Sequence, residues 1–144
     1  MTQRVVKNAD DLALLKVYLD QRKRPFTVDI TDGRNRSEEQ NRLSHKWYKE
    51  ISEQTGEAVE DVRARCKLEL GVPILRAGSE AFCKTYDRLI RPLDYEKKIE
   101  MMMIPIDVAV TRIMTTKQKA SYLDAIHTQF TSVGIELTDP MGWR

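Results

Sequence analysis

The segment Ile106–Met114 reads "IDVAVTRIM". Val108, Val110 and Arg112 alternate with Ala109, Thr111 and Ile113, a period of two that predicts a strand with one face covered. "PFTVDITD", residues 25–32, has the same rhythm: Phe26, Val28 and Ile30 fall on one face, and Asp32–Gly33 is a turn signal after them. These two segments decide between an all-helical chain and a mixed one. Reading both as strands gives an α+β fold, mostly helical with a few short strands.

The rest of the chain reads as helix. Asn8 is placed to cap a helix that carries Asp10 and Asp11 in its first turn and Leu12, Leu15 and Leu19 at helical spacing, ending near Asp20. The basic loop "QRKRP" follows, and Pro25 forbids helix there. Ser37 and Gln40 have capping-box spacing, predicting a helix to about Gln54 with Gln40, Leu43, Trp47 and Ile51 along one face. Val59, Val62, Cys66 and Leu70 mark another helix, with Gly71 as its stop. A short helix is expected over Ser79–Ile90, broken at Pro92, and "DYEKKIEMMM" gives one or two further helical turns. Thr115 and Gln118 repeat the capping-box spacing before a long helix, Lys117 to Val133, that buries Leu123, Ile126 and Phe130 and ends at Gly134.

The 144 residues fit one domain, 1–144, long enough to bury a core without disulfides or metals. With 24 basic and 22 acidic side chains the net charge is +2, so any electrostatic site must come from local clustering. Cys66 and Cys83 belong to no ligand cluster and read as buried thiols of a reducing compartment. The first residues lack the apolar core of a signal peptide, and "MMMIPI" is too short to span a bilayer, so a cytoplasmic protein without a membrane partner is expected.

Catalytic signatures are scarce. His45 and His127 stand in no metal motif, and neither a G-x-x-x-x-G-K-[ST] loop nor a G-x-S-x-G elbow occurs. No catalytic residue, metal ligand or cofactor is assigned, and the expectation is a binding protein, not an enzyme.

The chemistry gathers between Gly33 and Lys49, where five basic residues meet two acidic ones. Arg34 and Arg36 precede the expected cap, beside free backbone N–H groups and the positive end of a helix dipole, an arrangement that suits phosphate. Gln40, Asn41 and Arg42 can reach phosphates or base edges, and Lys46 and Lys49 continue a basic strip. Two of these side chains have second readings: Gln40 and Asn41 either touch nucleic acid or lock the preceding turn. Trp47 and Tyr48 could stack on bases, but Trp47 at helical spacing with Leu43 and Ile51 also reads as core.

"RNRSEEQNRLSHKWYKEIS", Arg34 to Ser52, resembles the signature of the NinB (Orf-like) family of phage recombination proteins, R-x-R-S-x-x-Q-N followed by a hydrophobic-aromatic helix. Arg34, Arg36, Ser37, Gln40 and Asn41 match it, with Trp47 in the aromatic slot. "MTTKQKASYLDAIHTQFTSVGIELTDP", Met114 to Pro140, is similar to the family's closing segment. The middle, Val72 to Pro105, looks longer than the family's. The resemblance implies a bacteriophage recombination mediator acting in the host cytoplasm. Such a protein binds single-stranded DNA, engages the host single-strand-binding protein and helps a RecA-type recombinase assemble. It also implies an intertwined homodimer with no nucleotide cofactor. Two alternatives stand beside it. One is a structure-specific phage nuclease or resolvase, if acids such as Asp29, Asp32 and Asp107 meet. The other is a protein-protein adaptor using an apolar surface around Met101–Ile104 or the C-terminal tail.

Overall fold

The computed structural model describes residues 3–30, 36–140 and 143. The chain divides into two compact units, Met1–Gly33 and Arg34–Arg144. In the first unit, helix α1 spans Ala9–Gln21, and the Asn8 side chain accepts from the Asp11 N–H at 2.9 Å, as its sequence predicts. No residue of α1 is buried.

The second unit is a set of packed helices. Helix α2 runs over Arg36–Thr55 and α3 over Val59–Cys66. A π-helical segment, Lys67–Gly71, carries the same helical path into α4, Val72–Gly78. Then come α5, Glu80–Leu89, α6, Tyr95–Met101, and α7, Thr116–Ser132. The boundaries of α5 and α7 fall within one residue of those expected from sequence. Ser79 accepts from the Phe82 N–H, and Thr115 and Gln118 form a reciprocal capping box. Gly134, at φ 92°, ends α7 with its own N–H on the Thr131 carbonyl.

Both expected strands are corrected. No strand occurs among the described residues, so the fold is all-helical, not α+β. Residues 25–30 are irregular, and Ile30 is 82% exposed. Period-two alternation specifies a strand only when a neighbouring strand takes up its backbone groups, and none does. The segment 106–114 is a connection laid across helices. It contains a single 3₁₀ turn, Thr111–Ile113, and Asp107 at φ 48°. Its alternation has another cause: Val110 is buried among Ala64, Leu68 and Val72, whereas Arg112 and Ile113 face out.

Gly71 is corrected as well. It does not stop the helix, which continues to Gly78. A Cβ on Gly71 would lie 2.6 Å from Val110 Cγ1, so the glycine is there for close approach of the 106–114 connection. Pro73 follows in the first turn of α4, and the π-type bond from the Val72 N–H to the Lys67 carbonyl carries the path past a residue with no N–H to give.

One core cluster joins α2, α3 and α7 through Leu43, Trp47, Ile51, Val62, Tyr122 and Ile126. Within it the buried Tyr48 and Tyr122 hydroxyls hydrogen-bond at 2.6 Å. The tail folds back over the same helices. Trp143 is buried edge-on to Trp47 at 5.4 Å, and Thr138 is held by Glu50. Cys66 and Cys83 are free thiols, and burial pushes the Cys66 thiol up to about 12. No helix among the described residues is long and apolar enough to cross a membrane.

Candidate nucleic-acid interface

Helix α2 positions most of the expected site residues, and its periodicity sorts them. Arg42, Lys46 and Lys49 stand at i, i+4 and i+7, on one exposed face. None of the three forms an ion pair among the described residues. Leu43, Trp47 and Ile51 take the opposite face into the core. Arg34 lies outside the described residues, as do the side chains of Arg36 and Ser37. The helix begins at Arg36, so Ser37 falls inside its first turn and not before it.

Gln40 turns inward. Its side chain is buried, and Nε2 donates to the Thr116 and Trp143 carbonyls, both at 3.2 Å. It ties the start of α7 and the tail to α2, a structural role different from the expected lock on the preceding turn. Asn41 is exposed but engaged: its Oδ1 accepts from Lys119 Nζ at 3.2 Å. Trp47 and Tyr48 are core residues, and Trp47 Nε1 donates to the Thr138 carbonyl. Their rings are therefore withdrawn from any base, which removes the stacking role.

Beside α2 lie an inner and an outer pocket that share Asn41, Thr111 and Arg112 as lining residues. The inner pocket, about 170 Å³, is lined by Asn41, His45, Arg63, Lys67, Asp107 and Arg112, among others. Here the Asp107 carboxylate takes Lys67 Nζ and Arg63 Nη2, each at 2.6 Å. Lys67 also donates to the Met102 carbonyl at 2.9 Å. The hydrogen bond from Lys67, with that from Arg63, holds the Asp107 carboxyl down at about 2 against its partial desolvation. Desolvation lowers Lys67 itself, and the Asp107 hydrogen bond pulls it back. The His45 imidazole is lowered by burial first and by the positive charges of Arg63 and Lys119 next.

The outer pocket, about 330 Å³, opens between the first turns of α2 and α7, with Glu38, Gln40, Asn41, Arg112, Thr115 and Lys119 among its walls. Lys119 is only 7% exposed and forms no ion pair with a carboxylate among the described residues. Desolvation is the one cause acting on it, and it lowers the ammonium.

Lys67 and Lys119 are not among the residues expected from sequence, and Asp107 is expected only as an acid of the nuclease alternative. A signal for Lys119 existed: it stands at i, i+4, i+7 with Leu123 and Ile126, on the apolar face of α7. Asp107 is occupied by two cations, Asp29 belongs to the first unit, and Asp32 lies outside the described residues. Among the described residues no group of three His, Cys, Asp or Glu side chains could hold a metal ion. No family model matches the chain, and no curated protein or solved structure matches it.

Proposed function

We propose that this chain is a phage recombination mediator that binds single-stranded DNA through α2, engages the host single-strand-binding protein and assists a RecA-type recombinase. The observation that carries the DNA contact is the exposed row Arg42, Lys46 and Lys49, none of which forms an ion pair among the described residues. One face of a helix rises about 1.5 Å per residue, so the row extends about 10 Å, enough to meet successive phosphates of an extended strand. The buried Trp47 and Tyr48 leave phosphate contact, not stacking, as the mode for α2. The likeness of Arg34–Ser52 to the NinB signature supplies the recombination setting and the homodimer, both part of the proposal.

The test is binding to labelled single-stranded DNA over a salt series, without metal or nucleotide. Each phosphate contact contributes a slope of about 0.7 in log affinity against log salt, so replacing Arg42, Lys46 and Lys49 by Ala flattens it by about 2. A triple variant with the parent's slope overturns the assignment.

A second reading, the protein adaptor, draws on Ile104 and Ile106, which are 71% and 61% exposed. Capture of the single-strand-binding protein without DNA, lost in Ile104→Ser with Ile106→Ser, favours it.

A further inference from the structure

The phosphate contact proposed for α2 leaves the bases of the strand unassigned, and the inner pocket lies beside that row. His45 joins the two. It stands three residues after Arg42 and four before Lys49, so its Cβ is a neighbour of both, about 5–6 Å away. It also lines the pocket, together with Asn41 and Tyr48. With Trp47 and Tyr48 buried, His45 is the exposed ring of α2, edge-on to Tyr48 with ring centroids 5.8 Å apart. A phosphate held on the row therefore brings its own base, one sugar away, to the mouth of this pocket.

Charge, size and lining limit what the pocket takes. Asp107 binds both Lys67 and Arg63, and Glu60 binds Arg63 as well. Cations already paired with acids hold a phosphate poorly and suit an uncharged polar group. The volume is about 170 Å³. A cavity of about 150 Å³ holds one benzene-sized ring, so the pocket admits a pyrimidine and crowds a purine. Among the lining groups, Arg63 has five N–H donors, and Glu60 and Asp107 each take one. Asn41 gives its side-chain oxygen to Lys119, which leaves its amide N–H groups as the donors it can offer. Donors of this kind match the ring carbonyls of a pyrimidine.

We propose that the inner pocket receives a single pyrimidine base of the bound strand, with the His45 ring against the base and the N–H donors of Arg63 and Asn41 on its carbonyl oxygens. The inference rests on the DNA contact proposed for Arg42, Lys46 and Lys49 and adds base selection to it: the row positions the strand, and the pocket reads one base. His45 suits the role as a neutral ring. Burial and the charges of Arg63 and Lys119 hold its imidazole below the ordinary 6.5, so at about pH 7.5 it offers a flat uncharged face.

The experiment is binding of the full chain to three single-stranded oligonucleotides of one length, all-thymine, all-adenine and all-abasic, over a salt series at about pH 7.5. The parent should hold the thymine strand at least about fivefold more tightly than the abasic one, with the same salt slope, because the phosphates are unchanged. His45→Ala should weaken the thymine strand about fivefold and the adenine and abasic strands less than about twofold, again without a change of slope. His45→Phe, which restores a flat ring, should keep thymine binding within about twofold of the parent. Equal binding of thymine and abasic strands by the parent, or an equal His45→Ala loss on all three strands, overturns the pocket. The strand comparison uses the parent alone, so it decides even where a variant fails to fold. The two proposals fail separately. A parent that binds none of the strands, or a triple row variant with the parent's slope, overturns the DNA contact itself. A normal slope without dependence on the base overturns the pocket and leaves the row standing.

Discussion

Lys67 and Lys119 are both buried lysines, each lining one of two neighbouring pockets, and they are solved in opposite ways. Lys67, 2% exposed, spends its donors on the Asp107 carboxylate and the Met102 carbonyl. Among the described residues Lys119 meets a neutral amide only. A buried pair is a structural device whose charge is consumed internally, so it presents little to a ligand. A buried charge without its counter-ion is a defect in a purely structural protein and an asset in a binding one. The difference separates the pocket of Lys67, whose charge is consumed by the fold, from that of Lys119, whose charge is not paired among the described residues.

The largest effect should come from breaking the compensated end. Asp107→Ala leaves Lys67 buried and unpaired and frees Arg63. The loss should be about 2–3 kcal/mol by urea denaturation, toward the low side of the usual range because Asp107 is partly exposed. Adding Lys67→Met should recover most of it, since removing both charges leaves no orphan. A loss below about 0.5 kcal/mol for the single variant would show that Lys67 is as tolerant of solitude as Lys119, and the comparison would collapse.

Acid sharpens the same point. The folded Asp107 carboxyl sits at about 2, below its ordinary 3.8. A group depressed on folding stabilises above its unfolded value, and that contribution drains as pH falls through the folded one. The stability difference between the parent and Asp107→Asn should therefore be full above about pH 4 and shrink toward pH 2. A difference constant across that window would mean the carboxylate charge is not what holds the two cations.

At the uncompensated end the sign reverses. Lys119→Met removes a desolvated charge and keeps most of the apolar stem, so stability in phosphate-free buffer should rise, by about 1 kcal/mol. A drop would mean that the Asn41 hydrogen bond outweighs desolvation. The gain should also fade at alkaline pH. Lys119 is lowered on folding, so its penalty is present below its folded value and is relieved as pH rises from there toward 10.5.

How much of this was legible in the sequence follows the range of the forces. The caps at Asn8, Ser79 and Thr115 are local, three residues wide, and their helices start where they say. The inward set Leu43, Trp47 and Ile51 is a periodic signal and held as well. The strands were misread because alternation records which residues are covered, not what covers them. Val110 is covered by Gly71 and its helix, a contact 39 positions away that no local pattern carries. Gly71 was misread for the same reason: local rules see a helix stop where tertiary structure needs missing volume. In the candidate site, the cations of α2 were visible as a cluster. That Gln40 faces inward follows from its place on the Leu43–Trp47 face, but its partners, 76 and 103 residues on, do not.

The smallest effect on stability should come from the row that carries the proposed DNA contact. Arg42, Lys46 and Lys49 are exposed, without an ion pair among the described residues, and on the face of α2 opposite the core. Alanine also has better helix propensity than any of them. The triple replacement should change stability by no more than about 0.5 kcal/mol, while the salt dependence of DNA binding falls. This outcome places three kinds of basic residue in one small unit. Lys67 is spent on the fold, Lys119 is held at a cost to the fold, and the α2 row is indifferent to it. A large loss of stability in the triple variant would put the row to structural use and remove the contrast with Lys67.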